Sequence, residues 1–282
     1  MASGEAALPA GPACAEAARG AGWRFFRLNS RVLAAVTWLS CGLFGAYILA
    51  FYAAALATGH AARWNGVLPG LYEAARPLST AGMGLHFAAG GVVLAFGFVQ
   101  LLGRVRERAP AVHRWLGRVY VSAAVLAGVG GLVFIAGTGT IGGRPMDVGF
   151  GLYGVLMIVA AVQAWRQARR RRLDAHRRWA LRLFALAVGS WLYRMEYGFW
   201  FLVAHRLGHT GDFHGPFDLA MAFFFYVPNL LVVEAYLRGR TARAGTAGRI
   251  AAGAAMGLAA CLLVVATYVF ATRYWWPAVA GG

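Results

Sequence analysis

The chain has 282 residues, of which 60% are hydrophobic and only 13% are charged. A soluble domain carries about a quarter of its residues as charged side chains, so this composition excludes an ordinary soluble globule. The 27 basic residues, all arginine, and the 10 acidic residues give a formal charge of +17, but the many aromatic residues exclude a disordered basic tail. The remaining class is an integral membrane protein.

Seven apolar stretches are long enough to cross a bilayer as helices, which takes about 20 residues each. In chain order they cover residues 32–57, 80–102, 117–137, 146–165, 179–203, 217–237 and 250–271. The first stretch is too long for the core of a secretory signal, so we expect it to be retained as a span. The sequence therefore predicts an all-α, polytopic integral membrane helix bundle with seven transmembrane helices.

The distribution of arginine predicts the orientation of this bundle. Twenty-one arginines lie in the N-terminal tail and in the loops after spans two, four and six, whereas five lie on the opposite side and Arg194 lies within span five. Because cytoplasmic loops are enriched in basic residues, the N-terminus is predicted to be cytoplasmic and the C-terminus outside. Topology thus accounts for the charge without a nucleic-acid partner, and the expected partner is the lipid bilayer, including its anionic headgroups.

The predicted spans divide the chain into three parts. Residues 1–30 form a cytoplasmic tail, residues 31–273 form the seven-helix membrane domain, and residues 274–282 form an outer tail. No loop is long enough for a soluble domain, so any functional site must be built from the helices and their ends.

Two segments of the membrane domain share a similar sequence pattern. Gln100 is followed 13 residues later by His113, and Gln163 is followed 13 residues later by His176, each pair across an arginine-rich loop. This spacing predicts that spans two to five are two parallel copies of one helical hairpin that form a four-helix core. The alternative is that short arginine-rich loops with interfacial tryptophan share this appearance without being copies.

Polar residues of the membrane core carry a more specific signature. They are His86, Gln100, the run His113-Arg-Trp-Leu-Gly-Arg-Val-Tyr120, the run His176-Arg-Arg-Trp179, and Arg194. In these residues, the region 78–238 resembles a bacterial family of polytopic membrane proteins that is known only as a domain of unknown function. The second run departs from the family pattern, which often has methionine where Ala180 stands. The resemblance implies a multi-pass protein of the bacterial cytoplasmic membrane and supplies no activity.

The first candidate site is the pair His113 and His176, each at the cytoplasmic start of a predicted helix. Two imidazoles on neighbouring helices can ligate haem b. Four flanking arginines, Arg114, Arg118, Arg177 and Arg178, can pair with haem propionates through charge-assisted hydrogen bonds. The alternative is that these residues anchor the helices at the interface and bind lipid headgroups.

The second candidate is the face of span two that carries His86. His86, Gly90, Val93, Gly97 and Gln100 fall within about 40° of one line on a helix. A small, polar face of this kind points into the bundle, where it leaves room for a flat cofactor or for a close neighbouring helix. The alternative is that His86 hydrogen-bonds to another helix.

The third candidate is a polar pocket formed by Arg194, Glu196 and Asp218 at the outer side. Arg194 and Glu196 are two residues apart, so they point about 200° apart and each needs a partner elsewhere. Asp218 is the expected counter-charge of Arg194, and a structural salt bridge is the alternative to a ligand site.

No metal site is predicted. The outer loop carries His205, His209, Asp212 and His214. Glycines within the loop interrupt the helix that a His-x-x-x-His pair needs.

Three functions follow as hypotheses. The leading one is a small redox-type protein that holds haem b, or alternatively a quinone, with His113 and His176 as ligands. The others are a transporter or small-solute binder with an outer-facing pocket, and a non-catalytic assembly subunit. Gly253-x-x-x-Gly257 in the last span is typical of helix packing, which makes a second copy of the chain or a partner membrane subunit an expected partner. The residues assign no reaction.

Overall fold

The computed structural model describes residues 12–53, 55, 58–241 and 245–277, and no strand occurs among them. In chain order the α-helices are α1 Pro12–Ile48, α2 Pro77–Phe96, α3 Gly103–Arg108, α4 Pro110–Gly137, α5 Gly143–Arg169, α6 Leu173–Ala187, α7 Gly189–Val203, α8 Pro216–Phe224, α9 Val227–Gly239 and α10 Thr246–Phe270. Shorter 3₁₀ turns cover Ala61–Gly66 and Val99–Leu101, and π-helical turns cover Leu49–Ala53 and Ala271–Trp275.

The all-α membrane architecture is confirmed. Six helical stretches are long and apolar enough to cross a membrane, namely Gly20–Tyr52, Pro77–Leu101, Pro110–Gly137, Gly143–Arg169, Pro216–Gly239 and Thr246–Trp275. They coincide with predicted spans one to four, six and seven. The total of seven spans and the orientation of the termini remain predictions. Helix α1 begins at Pro12, so the described part of the predicted N-terminal tail is helical.

The predicted fifth span consists of two successive helices, α6 and α7, which meet at Val188. Backbone bonds continue across the junction, since Val188 N donates to the Phe184 carbonyl at 3.1 Å and Leu192 N donates to the Val188 carbonyl at 2.9 Å. From the neighbouring helix α5, the Tyr153 hydroxyl donates to the Leu186 carbonyl at 2.5 Å. A carbonyl at a break inside a membrane needs such a donor, because no water is there to supply one.

Helices close together in the chain pack against each other, and the first and last helices form a separate pair. Helix α2 packs along α4, α4 along α5, and α5 along α6, while α1 pairs with α10. Glycines allow α1 and α10 to approach closely. A Cβ at Gly253 would lie 2.7 Å from Phe25 Cδ1, and a Cβ at Gly257 would lie 2.5 Å from Asn29 Oδ1. The Gly-x-x-x-Gly pattern of the last span is therefore used against α1 within the same chain.

Candidate functional site

A half-open cavity of about 1630 Å³ lies between the α1–α10 pair and the remaining helices, and some of its lining residues, such as Trp38 and Phe224, are exposed. It is larger than the roughly 300–1,000 Å³ of a typical small-molecule site. Most of its wall is aliphatic or aromatic, as in Trp38, Phe184 and Val232. The polar groups are concentrated where α4 and α6 begin, and they include both histidines of the first candidate pair. Its shape and chemistry suit an amphipathic ligand with a long apolar part.

His113 stands at the start of α4 and is held by Gln100. In the amide orientation that satisfies both of its polar atoms, the Gln100 nitrogen lies 3.3 Å from His113 Nδ1 and 3.3 Å from the His113 carbonyl oxygen. The Gln100 oxygen then accepts from the Gly117 N–H at 3.2 Å. A Cβ at Gly117 would lie 3.2 Å from the Gln100 amide, so the glycine of this run leaves the space that Gln100 occupies.

His176 occupies the same position in α6 that His113 occupies in α4, the fourth residue of the helix. Its Nδ1 lies 2.9 Å from the Ala164 carbonyl oxygen of α5. A carbonyl can only accept, so Nδ1 carries the proton and, in the neutral ring, Nε2 is an acceptor. Both histidines line the same cavity.

The two imidazoles therefore differ in what they offer a ligand. The Gln100 amide donates to His113 Nδ1, so the neutral ring of His113 carries its proton on Nε2 and donates there. His176 carries its proton on Nδ1, because that atom faces the Ala164 carbonyl oxygen, so its Nε2 is an acceptor. One donor and one acceptor in the same cavity match a ligand that carries carbonyl or hydroxyl groups.

Three arginines of the first candidate site, Arg114, Arg118 and Arg177, also line this cavity. None of them forms an ion pair with an acidic side chain in the part of the chain that the structure describes. Arg182, one turn beyond Trp179, differs from them because its guanidinium pairs with Glu234 at 2.7 Å. The unpaired arginines give this end of the cavity a positive charge.

His86 lies elsewhere, in the contact between α2 and α4. Its Nδ1 is 2.9 Å from the Ala127 carbonyl oxygen. Cβ atoms placed on Gly130 and Gly131 would lie within 3.3 Å of His86 atoms, so these glycines permit the contact. On the same face of α2, Val93 is buried. His86 thus hydrogen-bonds to a neighbouring helix and does not line the cavity of His113 and His176.

The three members of the predicted outer pocket do not come together. Arg194 Nη1 donates to the Ser190 carbonyl at 3.0 Å, and its guanidinium lies 5.7 Å from the ring centre of Phe44. Glu196 lines the large cavity instead. No ion pair joins Arg194 to Glu196 or Asp218 among the described residues.

Asp218 belongs to a separate cluster at the start of α8. One carboxylate oxygen accepts from the Tyr197 hydroxyl and from His209 Nδ1, both at 2.7 Å. The other accepts from the backbone N–H groups of Thr210, at 3.0 Å, and Gly215, at 3.1 Å. Sequence reasoning missed this pairing, although Asp at the third position of a helix that opens with Gly-Pro is a capping pattern.

The loop between α7 and α8 is organised by this cluster. His209 faces Asp218, whereas the exposed His214 lies beside Asp212. Hydrogen bonding with Thr210 lowers the pKa of the exposed Asp212 carboxyl. No group of three or more metal-ligating side chains occurs within residues 12–53, 55, 58–241 and 245–277.

In a comparison with protein families, residues 83–237 match the model of a family described as predicted membrane protein, DUF2306. No curated protein and no solved structure matches the chain.

Proposed function

We propose that this chain, which belongs to the family of predicted membrane proteins DUF2306, binds a quinone within the membrane, with the quinone head group between His113 and His176. The observation that carries the proposal is the pair of imidazoles in one largely apolar cavity, with His113 offering a donor and His176 an acceptor. A quinone head has oxygen atoms that accept hydrogen bonds, and its reduced form has hydroxyl groups that donate them. The volume beyond the head accommodates its apolar chain.

The fixed orientation of the histidines supports this assignment. Each Nδ1 is engaged by the protein, through Gln100 or the Ala164 carbonyl, so each ring is held in one tautomer. Preset donors and acceptors lower the ordering cost of binding. In this scheme the two histidines position the head and exchange protons with it, while the apolar wall excludes water.

Haem b is the second candidate, and the His176 geometry favours it. Axial histidine ligands generally donate their second ring N–H to a carbonyl or carboxylate, as His176 does to Ala164. His113 fits this role only after its Gln100 partner turns its amide, which moves the proton of His113 to Nδ1. The arginines Arg114, Arg118 and Arg177 suit propionates.

Binding of decylubiquinone to the purified protein in maltoside detergent tests the proposal. We expect saturable binding that His113→Ala and His176→Ala each weaken by about tenfold or more, because each removes a hydrogen bond in a dry site. His60→Ala is the matched control, since His60 is exposed and does not line the cavity.

The outcomes separate the two candidates. Equal affinity in all four proteins contradicts the quinone site. An absorption spectrum before and after dithionite distinguishes haem, because a haem-loaded protein shows reversible reduced-minus-oxidised bands that His176→Ala abolishes. A spectrum of that kind assigns haem b, and not a quinone, to the cavity.

A further inference from the structure

Two acidic side chains line the large cavity, Asp174 in the first turn of α6 and Glu196 further along the chain. Glu196 lies on α7 and lines the same cavity as the histidines. Its Oε2 is buried and has no hydrogen-bond partner among the described residues. A buried carboxyl oxygen without a partner is costly, so such a group points to a ligand that the structure does not contain.

The described part of the chain supplies no cation to this carboxyl group. No arginine or histidine in the described part of the chain lies within ion-pair distance of Glu196. Arg194, its neighbour on the same helix, is directed to the Ser190 carbonyl and the Phe44 ring. The carboxyl group of Glu196 therefore has no cationic partner among the described residues, and a cation from outside the chain can pair with its ionised form.

Aromatic residues line the same cavity as Glu196. Phe199 and Trp200 lie one helical turn from Glu196 on α7, and Phe217 and Phe224 belong to α8. Trp200 and Phe217 are stacked, with ring centres 4.8 Å apart and an interplanar angle of 5°. Aromatic faces attract cations, and the attraction grows when water is excluded. A carboxylate next to such faces matches a cation that is also apolar.

We propose that Glu196 and the surrounding aromatic residues form a binding site for a hydrophobic organic cation. A metal ion fits this site poorly, because Glu196 belongs to no group of three or more metal-ligating side chains among the described residues. The site is distinct from the histidine pair. Glu196 follows His176 by 20 residues along α6 and α7, which corresponds to about 30 Å of helix.

Tetraphenylphosphonium binding to the full chain in maltoside detergent tests the proposal, with triphenylphosphine oxide as the neutral comparison. We expect saturable binding of the cation by equilibrium dialysis, with an affinity that Glu196→Gln lowers about ten- to hundredfold. Binding of the neutral compound should not respond to this substitution. Glu73→Gln is the control, because it removes one negative charge from a carboxylate that already pairs with Arg76 and lies outside the cavity.

A second measurement needs no variant. Dicyclohexylcarbodiimide modifies carboxyl groups in apolar surroundings, and mass spectrometry of the peptide that contains Glu196 reports the modification. We expect tetraphenylphosphonium to protect Glu196 and decylubiquinone at the histidine pair to leave its modification rate unchanged. The proposal is overturned if the wild type and Glu196→Gln bind the cation with equal affinity. It is also overturned if Glu196 is modified at the same rate with and without the cation.

Discussion

Four donors satisfy the carboxylate of Asp218, and the carboxylate is almost completely buried. His209, which bonds to it, packs between the rings of Phe201 and Phe213, with centres 4.8 and 5.1 Å away. A buried charge is stable only when its hydrogen bonds are complete. This cluster therefore ties the loop after α7 to the first turn of α8.

Removing one donor measures the strength of this connection. Tyr197→Phe deletes the hydroxyl that donates to Asp218 and keeps the ring. We expect the free energy of unfolding to fall by about 1.5–3 kcal/mol, the usual contribution of a hydrogen bond to a charged group. Denaturant titration of the purified protein in detergent checks this, with Tyr268→Phe as the control because Tyr268 is 70% exposed. Equal stabilities of the two variants contradict a structural role for the cluster.

At the same scale, local patterns predicted some site residues and missed others. The equal spacing of Gln100–His113 and Gln163–His176 pointed to two histidines that line one cavity. Such a spacing is a local property of the sequence, so it can be recognised without knowing how distant segments pack. The partner of Asp218 was not predictable in this way. His209 reaches it through a loop whose path depends on left-handed residues such as His205 and Phe213, with φ values of 46° and 61°. Hydropathy and helical periodicity carry no information about such a path.

At the scale of helices, the closest approach of α2 and α4 depends on two glycines. A Cβ on Gly130 would lie 2.5 Å from the Gly82 carbonyl oxygen and 2.9 Å from the His86 backbone nitrogen. The backbones of the two helices are thus in direct contact there. Small residues permit such contacts in membrane bundles, where packing replaces the hydrophobic effect as the source of association.

Gly130→Ala should therefore force α2 and α4 apart. We expect it to lower the free energy of unfolding by about 1–3 kcal/mol, the usual cost of overpacking, and to lower the melting temperature measured in detergent. Gly151→Ala on α5 is a matched control, because a Cβ there meets no atom within 4 Å. Alanine also favours a helix by about 1 kcal/mol relative to glycine, so the control should be unchanged or more stable. Comparable losses in both variants contradict this account of the contact.

Hydropathy predicted the helices well where they are uniformly apolar. Six of the seven expected stretches coincide with helices that can cross a membrane by length and composition. The fifth stretch differs because Arg194 and Glu196 interrupt its apolar sequence and because its helix divides at Val188. Whether such a stretch divides depends on groups on other helices, such as the Tyr153 hydroxyl, and a window of local hydropathy does not include them.

At the scale of the whole molecule, the arginines that line the cavity lie at one end of it. Arg106, Arg114, Arg118 and Arg177 line the cavity beside His113 and His176, whereas Glu196 lies about 30 Å further along α6 and α7. The cavity therefore has a positive end and an acidic end joined by an apolar wall. If the orientation predicted from the arginines is right, the positive end faces the cytoplasm and the acidic end faces outward.

Cysteine labelling in intact cells tests that orientation. Cys14, Cys41 and Cys261 are first replaced by serine or alanine, and single cysteines are then introduced as Gly211→Cys in the loop after α7 and Arg170→Cys in the loop after α5. Both positions are exposed. We expect a membrane-impermeant maleimide to label residue 211 in intact cells and residue 170 only after permeabilisation, because retention of 21 arginines on the cytoplasmic side orients the chain. The opposite labelling pattern reverses the assignment, and it then places the histidine pair at the outer end of the bundle and Glu196 toward the cytoplasm.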